Sequence, residues 1–332
     1  MKNERCAGPR IAAILAIALV AACAESKTGS TGTGSVPTEK FESFVAGTLL
    51  SAEPFSVGTA EIATGTAPIG KDDDPNAGAA SLRLGMNFEG AGTVMGAFGT
   101  VPVVLREGSA QSAARGPVAS VDAANNRFTV AALTFVVDAN TLYDGMAGIA
   151  AMAPGLSVEV AGLPLADPRV VLATRVTQTE SNVGTPSSQP RIDGPAAGAR
   201  VELEGIALDV APGGGFVLRT PARDYDVAPG AMLSAPVTSG SRVRVVAIAA
   251  APSSLASASV TVIVAPIVYR VTGTITGFSS LAALRVRGEP VDLTTAVIRG
   301  GNASDIANGR RLAIVGIAGP GALRASEATL QP

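Results

Sequence analysis

The feature that most constrains how this chain can fold is an internal repeat. The segments GPVASVDAANNRFTV from Gly116, GIALDVAPGGGFVL from Gly205 and GTITGFSSLAALRV from Gly273 share one plan. Each opens on a glycine, alternates as a strand, passes a small polar turn and returns as a second strand near Phe128, Phe216 or Leu284. A second glycine follows 39, 35 or 36 residues later: Gly155 in APGLSVEVAGLP, Gly240 in TSGSRVRVVAIA and Gly309 in ANGRRLAIVGIA. Each copy then closes on VVLATRVTQ, LASASVTVI or LRASEATLQ. A fainter copy precedes them, from Gly47 in VAGTLLS to Gly85 in RLGMNFEGAG, 38 residues on, and then VPVVLREG.

Within a copy, Val158 and Val160 alternate with Ser157 and Glu159, and Val243 and Val245 with Arg242 and Arg244. A period of two with one polar face marks a strand half buried in an antiparallel sheet. Five or six such strands in about 60 to 70 residues leave bare edges unless the sheet closes on itself. The expected fold class is therefore all-β, a series of small antiparallel β-barrels. The expected units are 41–108 (a divergent first copy), 115–180, 200–265 and 267–332. REGSAQSAARGP separates the first two. The linker 181–199, in ESNVGTPSSQPRIDGPAAGA, is expected to be the most flexible internal joint. VAPIVYR leaves almost no spacer between the last two and predicts that they dock rigidly. A barrel this small buries only about 60% of its unfolded surface, so neighbours are expected to share apolar contacts. Gly155, Gly240 and Gly309 are expected at turns that need φ > 0.

Residues 1–22 read as a signal peptide. MKNERCAGPR carries Lys2, Arg5 and Arg10 against Glu4, and Ile11–Ala22 is apolar. That stretch is shorter than the roughly 20 residues a membrane span needs. Val20, Ala21, Ala22 and Cys23 resemble the bacterial lipobox. In that family a peptidase cuts before the cysteine, whose thiol carries a diacylglyceryl group, so the resemblance implies that Cys23 is the lipidated N-terminus. Cys6 lies in the removed segment, which leaves Cys23 no disulfide partner. Two or more acyl chains anchor stably where one does not. Ala24 after the cysteine, where Asp would mark retention, implies by the same resemblance the outer membrane. Glu25–Thr38, rich in Ser, Thr and Gly, falls within 23–40 and reads as a flexible tether.

The lipobox, the tether, FESFVAGTLLS, LRLGMNFEGAG, GPVASVDAANNRFTV, FVVDANTLYDG, GLSVEVAGLP and VVLATRVTQ together resemble proteobacterial lipoproteins built from tandem copies of the domain of unknown function 5666. The resemblance is strongest in the second unit. It implies small OB-like barrels and supplies no activity. The insertion GKDDDPNAGAA in the first unit is not needed by the repeat.

Chemistry is constrained by what is missing. The chain has no histidine and two cysteines, so Ser-His-Asp and Cys-His pairs are excluded. Zinc, haem and iron–sulfur centres lack their common ligands. No catalytic, cofactor-binding or metal-ligating residue is assigned, and a carboxylate pair is the main acid–base option left. Asp138 in VDANT and Asp292 in VDLTT recur at strand ends, and Asp226 falls similarly in YDVAP. Recurrence across copies points to turns in which the side chain bonds nearby backbone N–H groups. Asp72, Asp74 and Asn76 have the i, i+2, i+4 spacing of a calcium loop, but Ala77 and Arg83 stand where that loop needs Gly and Glu. A solvated loop is the expectation there. GIAGPG lacks the strand–loop–helix context of a phosphate cradle.

The fourth unit gathers Arg270, Arg285, Arg287, Arg299, Arg310, Arg311 and Arg324 against Glu289, Asp292, Asp305 and Glu327. A solvated strand face is the expectation, with an anionic envelope polymer as its functional version. Nucleic acid is not expected, because only Tyr269 and Phe278 could stack bases and the net charge is −2. The sequence thus predicts a non-catalytic cell-envelope lipoprotein, held to the membrane by its N-terminal lipid. It would act as a binding or scaffolding array, with an envelope protein or polysaccharide as partner and no cofactor. The alternative is a carboxylate-dependent glycan-modifying enzyme of the periplasm or cell surface.

Overall fold

The computed structural model describes residues 40–95, 101–180, 192–264 and 266–332. The expected signal peptide, Cys23 and the tether as far as residue 39 lie outside the described residues. The described chain is all-β. Barrel 1 comprises β1 (Lys40–Ala52), β2 (Phe55–Val57), β3 (Ala60–Ala63), β4 (Ile69–Lys71), β5 (Asn87–Met95) and β6 (Val103–Ala110). Barrel 2 comprises β7 (Ala114–Asp122), β8 (Arg127–Val130), β9 (Leu133–Val136), β10 (Leu142–Asp144), β11 (Ser157–Pro164) and β12 (Val170–Gln178). Barrel 3 comprises β13 (Arg200–Leu208), β14 (Phe216–Arg219), β15 (Asp224–Val227), β16 (Met232–Leu233), β17 (Arg242–Ala251) and β18 (Ser254–Val262). Barrel 4 comprises β19 (Val268–Ser280), β20 (Ala283–Val286), β21 (Glu289–Asp292), β22 (Val297–Arg299), β23 (Arg311–Gly319) and β24 (Ala322–Gln331).

The four share one topology. In barrel 2, β7 pairs antiparallel with β8 and β11, β8 with β9, and β11 with β12. The cylinder closes where β9 runs parallel to β12, and β10 prolongs that seam. The same set of pairings recurs around β3–β6, β15–β18 and β21–β24. Closure gives each of the five barrel strands two neighbours and removes the edges. Gly155, Gly240 and Gly309 sit at φ 88°, 92° and 88° just ahead of β11, β17 and β23. Their N–H groups donate to Val118, Ala207 and Ile275 on the first strand of their own barrel. The left-handed turn they need is therefore pinned to the barrel wall.

Barrel 1 is the hub. Its β1 runs parallel to β13 over Ser43–Ala46 and Arg200–Leu203, and near its end Ser51 pairs with Arg270 of β19. Phe44 and Ala46 enter the core around barrel 3, while Val45 and Leu49 fill the core of barrel 1. A strand covered on both faces loses its polar alternation, which accounts for the run FVAGTL. At Gly47 the two barrels nearly touch: a Cβ there would lie 2.7 Å from Cβ of Glu204. Apolar contacts cross the other seams too, with Leu84 of barrel 1 and Leu142 of barrel 2 in the core around barrel 4.

The third and fourth barrels, expected to dock rigidly, both pair through their first strands with β1, and Ile263 at the end of barrel 3 packs against the core around barrel 4. The expected joint 181–199 is described only in part. Residues 181–191 lie outside the described chain. Ile192, however, is buried in the core of barrel 3, and its carbonyl accepts from the Arg223 guanidinium.

Candidate functional site between the barrels

The strand faces that look solvent-exposed in sequence meet each other across the barrel seams. Glu202 and Glu204 alternate with Val201 and Leu203 on β13, yet both carboxylates are buried against barrel 1. Glu204 accepts from the Thr48 hydroxyl at 3.1 Å and is bonded by Arg242; Glu202 accepts from the backbone N–H and hydroxyl of Thr59 and faces Arg244. Burial holds the Glu202 carboxyl above the usual carboxylate range, despite the Thr59 hydrogen bonds and the Arg244 charge. Between barrels 1 and 2, Lys71 lies 2.8 Å from Glu159, and Arg115 lies 3.4 Å from both Glu159 and Asp72. Burial would raise the Glu159 carboxyl, but Lys71 and Arg115 outweigh it and hold it below the usual range.

The seam between barrels 2 and 4 centres on a buried arginine. Arg175 on β12, 2% exposed, donates to Glu289 of β21 at 2.8 Å, to Asp144 of β10 at 2.8 Å, to the Leu84 carbonyl at 3.0 Å and to the Thr177 hydroxyl at 3.0 Å. Asp144 also accepts from Arg285, and Glu289 from the Leu84 N–H. Asp138 makes the expected turn: its carboxylate accepts from the Asn140 N–H at 2.8 Å. That turn aims Asn140 at barrel 4, where its amide oxygen accepts from the Ile267 N–H and its carbonyl from the Tyr269 hydroxyl.

Beside this seam an open groove of about 540 Å³ lies between the two barrels. Asn126, Asp138, Tyr143 and Ile149 line it from barrel 2, and Pro320 and Arg324 from barrel 4. Asp138 and Arg324 are exposed, and no carboxylate among the described residues pairs with Arg324. Burial pushes the Tyr143 phenol up to about 12, with the Asp138 charge adding to the rise and the Ile149 N–H opposing it. The phenol therefore stays protonated near neutral pH and can donate. The groove thus combines an acceptor carboxylate, a guanidinium, an amide and a phenol.

Other singled-out residues fall elsewhere. Asp292 repeats the Asp138 turn by accepting from the Thr294 N–H and hydroxyl. Asp226 is an exposed residue within β15. Asp72 is not in a solvated loop, as expected, but 1% exposed; it accepts from the Ser112 N–H at 2.7 Å because the insertion packs against the start of barrel 2. Asp74 accepts from the Asn76 N–H, and among the described residues no cluster of three acidic or thiol ligands forms. Three of the seven arginines on the basic face of barrel 4 pair with other barrels. Arg285 pairs with Asp144 of barrel 2, and Arg287 and Arg311 with Glu53 of barrel 1. Tyr269 is fully buried, and Phe278 packs against the barrel core.

Sequence reasoning missed Asn140, Tyr143 and Arg175. No local signal marked them. Leu142, Met232 and Val297 pair equivalently with the last strand of their barrels. Leu142 is buried because barrel 4 covers it, whereas Met232 and Val297 are 72% and 56% exposed. No curated protein matches the chain. Residues 115–177, which carry the second barrel and the larger share of the groove, match the family model described as domain of unknown function (DUF5666).

Proposed function

We propose that the chain is a non-catalytic cell-envelope lipoprotein, anchored through Cys23, whose four barrels form one binding head with the groove between barrels 2 and 4 as its ligand site. The observation that carries this reading is the groove's composite origin: both barrels line it, and Arg175, Asn140 and Asp144 bond barrel 2 to barrel 4 beside it. Its volume suits a ligand site. Its mixed lining suits a hydroxyl-rich envelope polysaccharide, with Asp138 accepting and Arg324 and Tyr143 donating. Asp138 is the one carboxylate among the described lining residues. Glycoside hydrolysis of the usual kind needs two, which favours binding over the glycan-modifying alternative.

The test is a photo-crosslinking residue at Ala147, an exposed position in the groove, in the full-length protein in intact cells. The expected result is a saccharide-bearing adduct that Arg324→Glu removes. No adduct, or one indifferent to Arg324→Glu, overturns the groove assignment. The anchor is tested separately: Cys23→Ser is expected to move the protein out of the salt-washed membrane fraction.

A further inference from the structure

The tether enters the fold at Lys40, and the rim around that entry is apolar. Strands β6, β5, β1, β13 and β17 are successive neighbours in a sheet that crosses from barrel 1 into barrel 3. Along one end of that sheet stand Val104 and Val101, 53% and 41% exposed, and Met95, 41% exposed; the register puts Met95 and Val104 on the face of Lys40, and Ile248, 38% exposed, on the opposite face. Lys40 pairs directly with Met95. Arg200, the cross-strand partner of Ile248, lies 3.7 Å above the Phe41 ring. Exposed Lys40 adds a cationic group to the same end, while Arg106 is shared with Glu42 and Glu107. Three exposed large apolar side chains beside the Lys40 ammonium are the composition of a surface that rests in a lipid interface.

We infer that this rim is a second membrane contact, set against the same bilayer that holds Cys23; the inference rests on the lipid-anchor reading. Where the chain enters the fold decides the occupant. Residue 40 follows residue 23 by 17 Cα–Cα steps, which limits the rim to within about 60 Å of the anchored sulfur. An anchored chain meets the bilayer intramolecularly, at an effective concentration in the mM range for short connections. A patch too small to hold a protein on a membrane from solution is then sufficient to orient one already there. The opposite end of β1 leads to barrel 4, where Ser51 pairs with Arg270. Barrel 4 is therefore placed away from the lipid.

The chain contains no tryptophan, so a single reporter is unambiguous. Full-length lipidated protein carrying Val104→Trp is reconstituted into phosphatidylethanolamine–phosphatidylglycerol vesicles with and without brominated acyl chains. Val297→Trp, on barrel 4, is the control, and Met95→Trp is a second rim variant should the first fail to fold. The expected result is a blue-shifted emission from the rim reporter, quenched by brominated lipid about twofold or more beyond the control. Equal or absent quenching in both, with the protein still sedimenting with vesicles, overturns the rim contact and leaves the anchor standing. An emission shift that follows protein concentration and ignores bromination assigns the rim to a second copy and overturns the lipid contact. Vesicle sedimentation unaffected by Cys23→Ser overturns the anchor reading itself.

Discussion

Arg175→Met tests whether the barrels are held in place by their buried ion pairs. The guanidinium bonds three barrels at once: Asp144 and Thr177 in barrel 2, the Leu84 carbonyl in barrel 1 and Glu289 in barrel 4. Burial alone would lower its pKa, but Glu289 and Asp144 raise it, so the group is charged at every relevant pH. Methionine fills much of the same volume and supplies no donor. Asp144 keeps Arg285. Glu289, 3% exposed, keeps only the Leu84 N–H among its described partners. Stranding one member of a buried pair costs about 3–5 kcal/mol, and that is the expected loss. The assay is guanidinium unfolding of the full-length protein followed by far-ultraviolet circular dichroism. The double variant Arg175→Met/Glu289→Met removes the stranded charge but orphans the Leu84 N–H. Its cost should fall short of the sum of the single variants by about 0.5–3 kcal/mol, the range for side chains in contact. A loss below about 1 kcal/mol for Arg175→Met, or strict additivity in the double variant, would refute a seam organised by this charge.

Gly155→Val should lower stability by about 1–3 kcal/mol, since φ 88° is strained for a branched residue although the space around the site is open; an unchanged thermal midpoint counts against it. Gly47→Val should cost more than Gly155→Val, because its Cβ would collide with Glu204 and drive β1 away from β13; comparison of the two midpoints is the check. The pH dependence has two opposed parts. Glu159 titrates below its usual value of 4.5 in the fold, so its contribution is present above that pH and is lost as pH falls. Glu159→Gln should therefore flatten the acid limb of the stability curve. Glu202 titrates above 4.5, so the fold gains stability as pH falls through the range just above that value. Glu202→Gln should remove that gain, seen as a smaller change in midpoint between pH 7 and pH 5. Ultraviolet titration should place one tyrosine, lost in Tyr143→Phe, near pH 12.

The strands, their alternation and the glycine turns were legible in the sequence because each is a local property. Val158 and Val160 on one face of β11, and φ > 0 at Gly155, depend on residues within a few positions. The Asp138 and Asp292 turns were legible for the same reason: donor and acceptor are two residues apart. Alternation says that one face of a strand differs from the other. It does not say whether the polar face meets water or another polar face. That was decided by tertiary structure, which sets Glu204 against Thr48, 156 residues away, and Arg175 against Glu289, 114 residues away. A charge that finds its counter-charge and hydrogen-bond partners across a seam can be buried despite its desolvation cost, so the polarity of Glu202, Glu204, Asp72 and Glu289 was a poor guide to their exposure. The groove followed from the same decision. Asp138 and Arg324 are ordinary polar residues of two separate barrels, and only the docking of barrel 2 on barrel 4, fixed by contacts that no local pattern encodes, makes them neighbours.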